Sequence, residues 1–139
     1  MKTNTVSRAG FVSQVNYLML LLRVVSLVLL AFSASYWAKL TGISDGNIRF
    51  DTMSSPWKVA ATSLVVLLPV ASLGLWGAWR WGVVVWIIVM IIEVTMYGFY
   101  PAIFGQANIV LLFHAIAITV YLMVLAINMY VERRGSEDG

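Results

Sequence analysis

Four long apolar runs dominate the chain, at residues 16–40, 57–79, 81–100 and 106–130. Each is close to the ~20 residues a helix needs to cross a bilayer. Polar tails at 1–15 and 131–139 flank them. The pattern predicts an all-α integral membrane four-helix bundle in a single domain, because the tails and loops are too short to build a core of their own. The longest polar stretch is the first loop, residues 41–56, with Gly42, Asp45, Gly46 and Asn47 as turn formers. Ser54, Ser55 and Pro56 mark the next helix start, since serine supplies a capping oxygen and proline lacks an N–H that the first turn does not need. Only the tight W-R-W-G around Arg80 joins helices two and three, which makes them antiparallel neighbours and the whole an up-down-up-down bundle. The third connection, G-F-Y-P-A-I-F-G-Q, is uncharged and short, suited to dipping into the membrane surface.

Composition agrees. Of 139 residues, 61% are hydrophobic and 11% charged, against about a quarter charged in soluble domains. The net charge of +3 comes from basic residues scattered along the chain, so there is no basic patch for nucleic acid. The absence of cysteine removes disulfides, thiolate metal sites and thiol catalysis. A single histidine removes a multi-histidine metal centre within one chain, so no metal and no cofactor are expected. Lys2, Arg8, Arg80, Arg133 and Arg134 fall on one side of the spans, and Lys39, Arg49 and Lys58 on the other. That bias places both termini in the cytoplasm. Tyr17, Trp76, Trp79, Trp81 and Tyr130 form an aromatic belt at one face, and Tyr36, Trp37, Phe50, Trp57 and Tyr100 at the other. S-A-S at 33–35 loosely resembles a signal-peptide cleavage site, but the apolar run is too long and Arg23 interrupts it.

A charge near the bilayer centre costs about 2.5–3.5 kcal/mol on insertion scales, so Arg23, Glu93 and His114 need explaining. At ~1.5 Å per residue, Arg23 lies about 10 Å, Glu93 about 18 Å and His114 about 24 Å from the cytoplasmic face. Residues seven apart return to nearly the same face of a helix. Three such series, Asn16–Arg23–Leu30, Trp79–Trp86–Glu93–Tyr100 and Ala107–His114–Tyr121–Asn128, predict a polar seam inside the bundle. Its members are Arg23, Glu93, His114, Tyr121 and Asn128. Each also has a plainer role. Arg23 can snorkel to the cytoplasmic face, Glu93 can pair with Arg23 or His114 or be protonated by desolvation, and the other three can act as interhelical hydrogen-bonders. Pro69 removes a backbone hydrogen bond in helix two and predicts a kink near Val65 and Val66. Ser72, Gly74, Gly77 and Ala78 form a small-residue surface that lets a neighbouring helix approach closely.

Two stretches carry a family resemblance: L-L-R-V-V-S-L-V-L-L-A-F-S-A-S-Y-W-A-K-L-T-G at 21–42 and L-P-V-A-S-L-G-L-W-G-A-W-R-W-G at 68–82. They resemble the DoxX-like superfamily of four-helix membrane proteins, with Arg23 opening helix one and Lys39, Leu40, Thr41 and Gly42 closing it. The chain is also similar to small uncharacterised inner-membrane proteins of alphaproteobacteria with domains of unknown function. The first resemblance implies a quinone-linked redox subunit or a partner of envelope oxidoreductases; the second implies a multi-pass location in the bacterial inner membrane. No phosphate loop or H-E-x-x-H is present, so the chain reads as a non-enzymatic accessory or scaffold subunit. Its expected partners are the lipid bilayer and a membrane protein or a second copy. The alternatives are a quinone bound near Arg23, Glu93 and His114, and a dimeric proton-coupled transporter in which Glu93 carries the proton.

Overall fold

The computed structural model describes residues 3–43 and 54–137, with side chains over 17–43 and 54–134. The loop positions from Ser44 to Met53, with Arg49 and Phe50, lie outside the described residues, as do Lys2 and the side chains of Arg8 and Asn16. All regular structure among the described residues is helical. In order come α1 (Thr3–Thr41), α2 (Ser55–Trp76), α3 (Arg80–Val94), a five-residue π-helix (Thr95–Phe99), the one-turn α4 (Pro101–Phe104) and α5 (Asn108–Glu137). Four stretches, Tyr17–Thr41, Ser55–Trp76, Arg80–Phe99 and Asn108–Arg134, are long and apolar enough to cross a membrane. The outer two helices run beyond their apolar parts, into the stretches expected to be polar tails. Loss of hydropathy does not end a helix, and neither tail contains the proline that would.

The buried stripe of α1 runs through Leu22, Val25, Leu29, Ser33 and Tyr36, at the three- and four-residue spacing of one helix face. This stripe packs along α2, α2 packs along α3, and α5 lies more sparsely against α1 and α3. Between α1 and α2 the polar contact is reciprocal. Ser26 Oγ donates to the Ser72 carbonyl at 2.8 Å and Ser72 Oγ to the Ser26 carbonyl at 2.9 Å, so each buried hydroxyl is satisfied by the opposite backbone. The carbonyl of Val65, which Pro69 deprives of its helical partner, lies within a helix that is assigned without interruption.

Small residues set the α2–α3 junction. A Cβ on Gly74 would lie 2.4 Å from Gly82 Cα, and one on Gly82 would lie 2.3 Å from the Gly74 carbonyl carbon. The two backbones therefore touch, as the small-residue surface predicts within the chain. The end of α2 is a Schellman turn: Ala78 N–H bonds to the Leu75 carbonyl at 2.9 Å and Trp79 N–H to the Gly74 carbonyl at 3.0 Å. Its left-handed position, usually glycine, is Ala78 at φ 52°. Because a Cβ is disfavoured there, Ala78→Gly is expected to stabilise the protein by about 0.5–1 kcal/mol, read as a later midpoint in mixed-micelle unfolding.

The π-helix and the connection after it follow from Pro101. Proline disfavours helical geometry in the residue before it, and Tyr100 leaves the helix at φ −123°, ψ 48°. The last helical turn widens: Tyr100 N–H reaches the Thr95 carbonyl five residues back at 3.3 Å, and Thr95 Oγ1 donates to the Ile91 carbonyl at 2.7 Å. The connection itself is tied to the start of α2, where Trp57 Nε1–H donates to the Ile103 carbonyl at 3.0 Å and its ring meets Phe104 at 5.3 Å.

Candidate functional site: a buried tyrosine–glutamate–histidine chain

Glu93 is fully buried on α3 (0% exposed); two elements reach its carboxylate and a third reaches the tyrosine bonded to it. From α1, the Tyr36 O–H donates to Oε1 at 3.2 Å. From α5, His114 Nε2 lies 2.5 Å from Oε2, and the imidazole is 1% exposed. From the π-helix, the Tyr97 hydroxyl stands 2.7 Å from that of Tyr36. A phenol has one proton to donate; since Tyr36 directs its own at Glu93, Tyr97 donates to Tyr36. The result is a directed chain, Tyr97 to Tyr36 to Glu93, meeting His114 on the other carboxylate oxygen.

Local structure explains the convergence. In an α-helix a residue four positions on lies slightly past its predecessor on the same face. The wider π turn after Val94 holds more residues per turn, which draws Tyr97 back under Glu93. The contact between His114 and Glu93 requires a proton between them, because two bare lone pairs at that distance repel. Either the imidazole N–H or the carboxylic O–H supplies it. Three buried side-chain atoms have no partner among the described residues: His114 Nδ1, Trp86 Nε1 and Asn128 Oδ1.

At the end of the chain nearest the α1–α2 loop, Lys39 Nζ sits 5.1 Å from the centre of the Tyr36 ring and 5.7 Å from that of Trp57. At the other end of the bundle, Trp79 and Trp81 stack at 5.5 Å around Arg80. Between them, Trp86 meets Tyr121 edge-on at 5.9 Å. Tyr121 is half-buried beside the core, and Asn128 lines a groove of about 500 Å³ between α1 and α5 with Leu21, Val24 and Val124. Among the described residues no group of three or more His, Cys, Asp or Glu could hold a metal ion.

The structure thus brings Glu93 and His114 into contact and sets Tyr121 and Asn128 further along the same face of α5. Arg23 is a correction. It is exposed, with its guanidinium 5.6 Å from the centre of the Trp76 ring, and it makes no contact with Glu93. Arg23 and Leu30 lie on the outer face of α1, where Leu30 is also exposed. The inner sevenfold series is Leu22–Leu29–Tyr36, and it supplies the third member of the cluster. Sequence reasoning missed both Tyr36 and Tyr97, although the first continues a leucine series and the second lies four residues beyond Glu93. As an outward cation on an aromatic ring, Arg23 contributes about 0.5–1 kcal/mol. Arg23→Leu is therefore expected to shift unfolding by no more than about 1 kcal/mol, well below the loss of a buried ion pair; a mixed-micelle unfolding titration reads the difference.

No curated protein and no solved structure matches the chain, and the comparisons do not link it to DoxX-like proteins. One family model does match, over residues 16–133, a stretch that takes in the first three apolar segments whole, the fourth as far as Arg133, and Tyr36, Glu93, Tyr97 and His114. The chain belongs to that family, DUF6163, a family of unknown function.

Proposed function

We propose that this protein is a four-span protein of the bacterial inner membrane, up-down-up-down with both termini cytoplasmic, and a non-enzymatic accessory or scaffold subunit of a membrane complex. The observation that carries this reading is α5. Apart from His114 and Ala117, which are buried, its span is covered little by the rest of the chain, and Ile109, Leu112, Ile116, Leu122 and Met123 are exposed around it. A helix apolar on nearly every side is suited to lipid or to another helix. Order along α1 and α2 supports the topology: Arg23 meets Trp76, Ser26 meets Ser72 and Lys39 meets Trp57. A quinone at Glu93 is less well supported, because both carboxylate oxygens are already engaged by Tyr36 and His114.

Native mass spectrometry of the protein released gently from its own membrane tests the reading. A stoichiometric second polypeptide, displaced by Leu112→Trp and Ile116→Trp on the exposed face of α5, is the expected result. Substrate turnover or ion movement by the purified protein alone in lipid would overturn it.

A further inference from the structure

We propose that Tyr97, Tyr36, Glu93 and His114 form a proton-loading site, entered through the two tyrosines and closed at His114. This inference does not depend on the accessory-subunit reading, since such a subunit can carry a proton site.

The geometry has a direction. Tyr97 and Tyr36 are 7% and 4% exposed, nearer the surface than Glu93 at 0%. Beyond Tyr36 lies Lys39, half-buried and leading to the end of α1. From Glu93 inward the bonded chain ends at His114, whose Nδ1 has no partner among the described residues to which a proton could pass. Loading balances as a relay. A hydronium at Tyr97 gives its proton to the Tyr97 oxygen while Tyr97 passes its own to Tyr36. Tyr36 passes its own to Glu93 Oε1, and a water molecule is left outside. The carboxylate becomes a carboxylic acid whose Oε1–H donates to the Tyr36 oxygen, His114 keeps its Nε2–H on Oε2, and both phenols stay turned towards the entry until the proton leaves. The site thereby gains one proton and loses one negative charge in a place where the bilayer disfavours net charge. The titratable groups facing Glu93 are Tyr36 and Lys39 from α1, Tyr97 from the π-helix and His114 from α5. The buried face of α2, from Ala61 to Leu75, contributes none.

Infrared spectroscopy of the full chain in liposomes tests this through the carbonyl stretch of a protonated carboxyl group. A band that grows as the pH falls and is missing in Glu93→Gln is expected. Transfer to heavy water should shift that band at least about tenfold more slowly in Tyr36→Phe and Tyr97→Phe, with Tyr121→Phe exchanging as the wild type does. The Glu93→Gln spectrum supplies the background from the other acids of the chain. The proposal is overturned if no Glu93-dependent band appears at any pH, if both phenylalanine variants exchange at the wild-type rate, or if Tyr121→Phe slows exchange as much as they do. Circular dichroism confirms that each variant compared is folded. Should Glu93→Gln fail to fold, glutamate labelled with carbon-13 assigns the band instead.

Discussion

His114→Ala is expected to destabilise the folded protein by about 3–5 kcal/mol, the loss typical of breaking a buried pair by removing one partner. Among the described residues the imidazole is the polar side-chain link from α5 to the rest of the bundle, bonded to a fully buried carboxylate. Without it, Glu93 keeps only the O–H of Tyr36. The loss should fall on the docking of α5, whose other contacts with the core are sparse. A double variant, Glu93→Leu with His114→Leu, is expected to recover most of the stability, because well-packed apolar groups can replace a buried pair at little cost. Unfolding titrations in mixed micelles of the wild type, Glu93→Leu, His114→Leu and the double variant, with His114→Ala beside them, check both statements. If the double variant is as unstable as the sum of the singles, the pair is not what couples α5 to α3.

Gly74→Val should cost about 3 kcal/mol, at the upper end of the usual range for overpacking, because the added Cβ meets backbone. Gly82 Cα stands 2.4 Å from where that atom would be, and the Trp81 ring only 2.8 Å away. A side chain can rotate out of the way, but the Cα of a helix residue moves only with its helix, so α3 must shift away from α2. Gly98→Ala is the control. Its nearest neighbour would be Val94 Cγ1 at an ordinary 3.8 Å, and alanine is the better helix former, so it should be neutral or slightly stabilising. The same titration reads both, and a Gly74→Val as stable as the control would mean that the two helices are not held in contact.

Helix existence was legible in the sequence because it depends on the summed hydropathy of about twenty residues, which a few exceptions do not change. The contact between small residues of α2 and α3 was legible too, since a connection as tight as W-R-W-G leaves the two helices no choice but to meet. Helix rotation was not legible. Arg23 and Tyr36 both lie in α1, and a sevenfold series runs through each, Asn16–Arg23–Leu30 and Leu22–Leu29–Tyr36; nothing local says which series faces inward. The π turn was equally hidden, because the signal that exposes it, Pro101, acts several residues downstream of where the helix widens.

From its sequence alone this protein was determined to be four apolar helices with an acid and an imidazole at bilayer depth, because desolvation cost is a property of residue type and position along a span. Tertiary structure decided which groups meet that acid. Helices α1, α3 and α5 had to be rotated into one packing before Tyr36, Tyr97 and His114 converged on Glu93 and Arg23 turned outward. Rotation is set by how whole faces interlock, with serine clasping serine and glycine touching glycine, and those contacts join residues that the chain keeps far apart.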